Sequence, residues 1–264
     1  MNLFEAIIVA IVEGLSEFLP ISSTAHMVIT SSLMHLEKDP FTKYFEICIQ
    51  FGAILSVLVL YFKKFINFKS YHFYLKLILA VIPSLVFGFF LNDFIDAKLE
   101  SPLFIAIIMI LGGILLLYVD NWFKNPIITK EEEIDNKLAV KIGLFQCLSI
   151  IFPGLSRSAA TIIGGMSQKI SKDVAAEFSF FLAVPTMAAA TGYKTLSYIK
   201  KEGFFTADQL TTLVIGNAVA FVVALLAIKF FIGFVKERGF KIFGIYRIIL
   251  GCVVLLLIYL NVIG

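Results

Sequence analysis

Six apolar runs dominate this sequence, at 45–62, 76–92, 102–122, 178–198, 210–232 and 243–262. Each is close to the roughly 20 residues that a helix needs to cross the hydrocarbon of a bilayer. A run of this kind satisfies its own backbone hydrogen bonds, which is the condition for lying in lipid, so very few folds remain open to the chain. Composition agrees: of 264 residues, 59% are hydrophobic, 16% are charged and 28 are Phe, against soluble norms of about half apolar and a quarter charged. The sequence reads as an all-α polytopic membrane protein with six transmembrane helices.

Two further apolar stretches are cut short. Around Pro20 and around Pro153-Gly154 the helical segments on either side come to about 10 to 16 residues, roughly 15–24 Å at the helical rise, too short to cross. Each is expected to form a re-entrant helix-loop-helix pair. Irregular backbone at membrane depth is tolerated where protein or a water-filled cavity surrounds it, so the two pairs should meet inside the bundle.

The first pair carries Glu13, Glu17, Ser22, Ser23, Thr24 and His26. Ionisable groups at membrane depth are costly and mark function. Glu13 and Glu17 lie one helical turn apart on one face, as a shared metal or proton site needs. Ser22, Ser23 and Thr24 suit the cap of a second short helix, and His26 follows Ser23 by three positions, so hydroxyl and imidazole can share a side. The second pair answers the first. A shift of 133 positions brings Pro20 to Pro153, Ser16 to Ser149 and Ser23 to Ser156. There Pro153-Gly154 breaks a helix, Ser156 can cap the next, and Arg157 adds a planar donor fork suited to phosphate.

Each half then holds one re-entrant pair and three spans, roughly 1–125 and 136–264 of a single membrane domain covering 1–264. Three spans are an odd number, so the halves should form an inverted-topology repeat with a site near the midplane, a plan common among transporters. Fourteen Lys and Arg fall on one side of the membrane and six on the other, counting Lys69 with the first set and Lys98 with the second and leaving out Arg157 and the span-edge Arg247. The richer side is predicted to be cytoplasmic, which puts both termini outside.

Several features point away from other classes. The net charge of +3 sits in short loops and forms no basic patch, so no nucleic acid is expected. Cys48, Cys147 and Cys252 are scattered through apolar segments and read as packing residues, not as a disulfide framework or zinc site. The N-terminus lacks a basic region and its apolar run carries Glu5, Glu13 and Glu17, so no cleaved signal is expected. Lys130 to Glu133 reads as a solvated loop between the halves. Glu46, Gln50 and Glu177 read as polar helix ends or supporting groups, and Pro83 and Pro185 as kinks within spans.

Glu13-x-x-x-Glu17 followed by Phe18-Leu19-Pro20-Ile21-Ser22-Ser23-Thr24-Ala25-His26, together with Pro153-Gly154-Leu155-Ser156-Arg157-Ser158-Ala159-Ala160-Thr161, closely resembles the undecaprenyl-diphosphatases of the bacitracin-resistance type. The likeness covers almost the whole chain and includes Glu177-Phe178-Ser179-Phe180-Phe181-Leu182-Ala183-Val184-Pro185. Ala25 and Ala159 stand where that family often has Gly.

The resemblance implies hydrolysis of undecaprenyl diphosphate to undecaprenyl phosphate and inorganic phosphate in the cell (inner) membrane, with the site near the outer side. It implies Ser23, His26, Glu17, Glu13 and Arg157 as catalytic residues. Ser22, Thr24, Gly154, Ser156, Arg157, Ser158 and Thr161 would bind substrate, and Glu13 and Glu17 would hold Mg2+ or Ca2+. These residue types suit the chemistry: carboxylates hold a hard cation, Arg157 and helix N-termini meet phosphate charge, and hydroxyl with imidazole offers nucleophile and base. Ser23, His26 and a metal-bound water all remain candidate nucleophiles. The polyprenyl tail is expected to stay among membrane lipids while the diphosphate reaches the cavity. The oligomeric state is left open, a homodimer among the options. The competing class is a lipid flippase or transporter, which an inverted repeat would serve equally well. A channel is disfavoured because the polar groups cluster at one place.

Overall fold

The computed structural model describes residues 1–67, 70–91 and 101–263, so Lys69 and Lys98 of the orientation count lie outside the described residues. The chain is helical almost throughout. Helix α1 (Leu3–Ser16) opens on a capping box in which the Asn2 side chain takes the Glu5 amide and Glu5 takes that of Asn2. Then follow α2 (Ser23–Leu33), α3 (Pro40–Leu60), the single turn α4 (Phe62–Phe65), α5 (Tyr71–Phe90) and α6 (Pro102–Trp122). A 3-10 turn at Glu131–Glu133 leads into α7 (Asn136–Ile151), α8 (Arg157–Ser167), α9 (Lys172–Glu202), α10 (Ala207–Arg238) and α11 (Lys241–Tyr259). Helices α3 and α6 start alike, with Pro in the first turn behind a capping Asp39 or Ser101, where the missing amide of Pro costs nothing.

Six of these helices are long and apolar enough to cross a membrane: α3, α5, α6, α9, α10 and α11. Each overlaps one of the six apolar runs. The two longest, α9 with 31 residues and α10 with 32, outgrow their runs at charged ends carrying Lys200 and Lys201, or Lys236 and Arg238.

The helices flanking Pro20 and Pro153 are short, with 14 and 11 residues in α1 and α2 and 16 and 11 in α7 and α8. Both joints are closed by a serine in the left-handed region, Ser22 at φ 70° and Ser156 at φ 76°. Each serine accepts a hydrogen bond from the amide three residues on, at 3.3 Å in both cases. Ser22, and not Ser23, is therefore the counterpart of Ser156. The shift is 133 up to the prolines and one residue longer at the caps, because the second joint holds an extra residue, Gly154. At φ 97°, with the Ile105 carbonyl 2.7 Å from where a Cβ would sit, that position suits only glycine.

Packing between the halves is reciprocal. Helix α1 lies on α10 of the other half and α7 lies on α5, while α6 pairs with α11 and α3 with α9. Where α6 and α11 meet, Gly113 and Gly244 face one another, and a Cβ on either would stand 2.9 or 2.7 Å from the other's carbonyl oxygen. Small residues at such crossings let helices approach without a hydrophobic drive. The main core gathers Phe18, Phe180 and Phe231 with Phe73 and Phe181.

The segment Lys130 to Glu133 is solvated at Lys130, Glu132 and Glu133, as expected, but not at Glu131. Glu131 is 4% exposed and receives Lys76 at 2.7 Å and Lys64 at 2.5 Å, with Lys76 itself 5% exposed. A run of three acids looks like a water-facing segment in sequence, but its first member is the counterion of two lysines that the helices bring beneath it.

Candidate active site

The joints of the two short-helix pairs touch. Ser158 Oγ donates to the Leu19 carbonyl at 2.9 Å, tying the start of α8 to the turn after α1. Across this junction Arg157 Nη2 donates to Glu17 Oε1 at 2.9 Å, and Ser23 Oγ donates to Glu17 Oε2 at 2.5 Å. Glu17 thus joins the hydroxyl of one half to the guanidinium of the other. The other arm of Arg157 is anchored, Nη1 donating to the Ser179 carbonyl at 2.9 Å, while Thr161 and Ser179 hydroxyls meet at 2.7 Å behind it. The guanidinium is thereby oriented before any ligand arrives, as bidentate recognition of phosphate requires.

Three buried polar atoms around this array have no hydrogen-bond partner among the described residues: both carboxylate oxygens of Glu13 and the Nε of Arg157. Glu13 is fully buried and feels the charges of Glu17, Glu46 and Arg157. Buried carboxyls are ordinarily paired, bound to a cation or neutral, so an acceptor pair left without a donor is a candidate place for a positively charged ligand. Among the described residues no three His, Cys, Asp or Glu side chains gather tightly enough to enclose a metal. A cation held at Glu13 and Glu17 would have to take its remaining ligands from elsewhere, as Mg2+ commonly does at phosphate sites.

Ser22, Ser156 and Ser158 lie buried at the two joints, Ser156 and Ser158 with their hydroxyls 3.3 Å apart, and Thr24 sits partly exposed on the first turn of α2. His26 is close by but turned elsewhere. Its Nδ1 meets the Ser22 carbonyl at 2.7 Å, and since a carbonyl only accepts, Nδ1 carries the proton. Its Nε2 then accepts from the Tyr246 hydroxyl at 2.7 Å. The spacing that lets His26 share a side with Ser23 does not join them, and the group in contact with the serine is Glu17.

The two halves contribute unequally. Gln146, the counterpart of Glu13 under the 133-residue shift, is 1% exposed and donates to Ser84 at 2.7 Å and Thr186 at 3.2 Å. Glu177 stands apart from the site, accepting from Tyr61 at 3.3 Å near Lys64 and Glu131. Glu46 lies near Glu13, with one carboxylate oxygen buried and unpartnered.

One residue that sequence reasoning set aside stands at the centre. Arg247, on α11, is fully buried and donates to Pro20, Gly154 and Leu155 carbonyls in the turns that join the two short-helix pairs, at 3.1, 2.8 and 2.6 Å. It also donates to Met109 and Ile108 carbonyls of α6, at 3.3 and 3.5 Å. Its lone charge in an apolar run was the available signal, but position within a run does not separate a span-edge arginine from one that reaches inward.

A multi-pass helical membrane protein with an array of hydroxyl, carboxylate and guanidinium inside its fold is equipped to bind and react with an anionic group. Residues 6–253 match the family described as bacitracin resistance protein BacA, and the chain belongs to that family. It is 54% identical to an undecaprenyl-diphosphatase of Flavobacterium johnsoniae over 258 residues, covering 97% of this chain and 96% of that one. It is 47% identical to one of Porphyromonas gingivalis over 274 residues, 97% of each chain. It is 43% identical to one of Aquifex aeolicus over 255 residues, 96% of this chain and 97% of that one.

Proposed function

We propose that this protein hydrolyses undecaprenyl diphosphate to undecaprenyl phosphate and inorganic phosphate, recycling the lipid carrier of cell-wall synthesis and conferring resistance to bacitracin. The observation that carries the reading is the Ser23–Glu17–Arg157 array. A transporter needs groups that bind phosphate but has no use for a hydroxyl hydrogen-bonded to a carboxylate base.

In this reading Ser23 Oγ attacks the terminal phosphorus and its proton passes to Glu17 Oε2, 2.5 Å away. The anhydride P–O bond breaks, undecaprenyl phosphate leaves, and water then releases phosphate from the serine. Arg157 moves from Glu17 towards the phosphoryl oxygens as negative charge develops, its unpartnered Nε providing one more donor. Ser156, Ser158, Thr161 and Ser22 hold the two joints in place. His26, engaged by Ser22 and Tyr246, orients the first turn of α2. Glu13 and Glu17 would hold Mg2+ or Ca2+, which would supply charge to offset that of the phosphate.

The polyprenyl tail remains in lipid between spans, and the halves form an inverted repeat in the inner membrane. The excess of Lys and Arg on one side supports termini outside and a site reached from the outer side. The test of the reaction is release of inorganic phosphate from undecaprenyl diphosphate by purified protein in detergent. Binding of that lipid without release would overturn the hydrolase in favour of a carrier.

A further inference from the structure

Arg247 directs its whole guanidinium at backbone carbonyls, and no carboxylate pairs with it among the described residues. Two of its acceptors determine what the turns present on their other side. In a trans peptide the carbonyl and the following N–H point in opposite directions, and no cis peptide occurs among the described residues. The Pro20 carbonyl shares its peptide plane with the Ile21 amide, and the Leu155 carbonyl with the Ser156 amide. Both carbonyls aim at Arg247, so both amides aim away from it.

Neither amide makes a hydrogen bond within the described residues, although Ile21 and Ser156 are each 8% exposed. Within the described residues the amides of Phe18, Leu19, Ser22 and Gly154 also lack an acceptor; what sets Ile21 and Ser156 apart is that Arg247 holds the carbonyl of the same peptide, which fixes the direction in which each amide points. The neighbouring peptide shows the contrast. Gly154 also gives its carbonyl to Arg247, but the Leu155 amide is used internally, on the Phe152 carbonyl at 3.0 Å. A full positive charge on the carbonyl end of a peptide also polarises its N–H and makes it a better donor.

We propose that Arg247 is a positioning residue that presents the Ile21 and Ser156 amides, one from each half, as a pair of donors for phosphoryl oxygens of the diphosphate. The inference rests on the hydrolase reading above. It assigns backbone groups to phosphate binding and gives the charge of Arg247 a purpose beyond holding the fold.

The test removes one N–H and leaves every side chain in place. In protein translated cell-free into nanodiscs, Ile21 is replaced by its α-hydroxy acid, which exchanges the amide for an ester oxygen. The control is the same exchange at Leu155, which weakens an Arg247 acceptor equally but removes an amide that faces the chain. The Ile21 ester should lose kcat by about a hundredfold, the scale of one lost oxyanion donor, while the Leu155 ester keeps most of it. Equal turnover in the two esters overturns the assignment.

Arg247→Lys, which keeps charge and loses the fork, should lower kcat by about as much with KM little changed. Were Arg247 only a structural brace, the folded fraction would keep its kcat while the melting temperature fell, and that result counts against the proposal. If Arg247→Lys does not fold, the esters decide. If the unmodified protein releases no phosphate, the hydrolase reading fails instead. Protection against heat by inorganic phosphate then tests the amides, and equal protection of the unmodified and Ile21-ester proteins overturns their role.

Discussion

Glu17 and Arg157 lie 140 residues apart in the chain and 2.9 Å apart in the fold. One belongs to each half, so the candidate site exists only where the two short-helix pairs meet. The pairing also explains why Arg157 shows no acidic partner in its own neighbourhood of sequence. A guanidinium can keep one arm on Ser179 while the other exchanges Glu17 for phosphate, which an ammonium cannot do. Arg157→Lys should therefore lose roughly a hundredfold in kcat despite keeping its charge. Near-normal phosphate release by that variant would reduce Arg157 to a source of net charge.

Ser23 and Glu17 should act as a unit. Glu17→Gln keeps the size of the side chain and removes the proton acceptor, which should lower turnover by about 10²- to 10⁴-fold. Ser23→Ala should do at least as much, and the double variant little more, because both losses break the same step. Enzyme quenched in acid during turnover should carry an acid-stable phosphoserine. An acid-labile adduct that survives Ser23→Ala and disappears in His26→Ala would transfer the nucleophile to His26.

The spans and the two interrupted helices were legible in the sequence because hydrophobic length and Pro-Gly punctuation are local signals. The acids and hydroxyls of the site were legible for the same reason, being polar groups in an apolar setting. A bridge from Arg157 to Glu13 or Glu17 could be anticipated, since Arg157 has no acidic neighbour in sequence, but the partners of Ser23 and His26 could not. Spacing along α2 brings Ser23 and His26 to one side, but it does not reveal that the Ser22 carbonyl and Tyr246 hold both ring nitrogens. Arg247 was hidden for a related reason, since all its partners are backbone carbonyls and no residue type announces them. Glu131 was disguised by the two acids that follow it.

Lys76 and Glu131 form a buried pair away from the site, with Lys64 on the second carboxylate oxygen. Removing one member leaves charge without full compensation. Lys76→Met should cost about 3 kcal/mol and lower the melting temperature in detergent by several degrees, while kcat of the folded protein holds. Adding Glu131→Gln should cost less than the two single losses together, since both break one contact. Strict additivity would show the pair to be energetically independent.

The orientation predicts which loops face the cytoplasm. Single cysteines at Lys130 and Lys236 should react with an impermeant thiol reagent only after the membrane is opened, whereas those at Lys38 and Lys200 should react in intact cells. The native Cys48 and Cys252, partly exposed and exposed, are replaced by serine in every variant so that the introduced thiol reports. Labelling of Lys130→Cys in intact cells would invert the assignment.

Glu13 carries the cation prediction because its two oxygens are buried without a donor while both oxygens of Glu17 are engaged. Two carboxylates this close in a low-dielectric setting would repel one another if both were ionised, and Arg157 alone would offset one of the charges. A divalent ion there would relieve that repulsion and bind more tightly once phosphate oxygens complete its shell. Phosphate release should therefore stop with chelator and return with Mg2+ or Ca2+. Glu13→Gln should raise the ion concentration needed for half-maximal rate by tenfold or so, the expected effect of removing one charged ligand. A second readout does not depend on turnover: added Mg2+ or Ca2+ should raise the melting temperature of the unaltered protein and have a much smaller effect on Glu13→Gln. Equal stabilisation of the two proteins would place the cation away from Glu13, and full activity in chelator would remove it from the reaction.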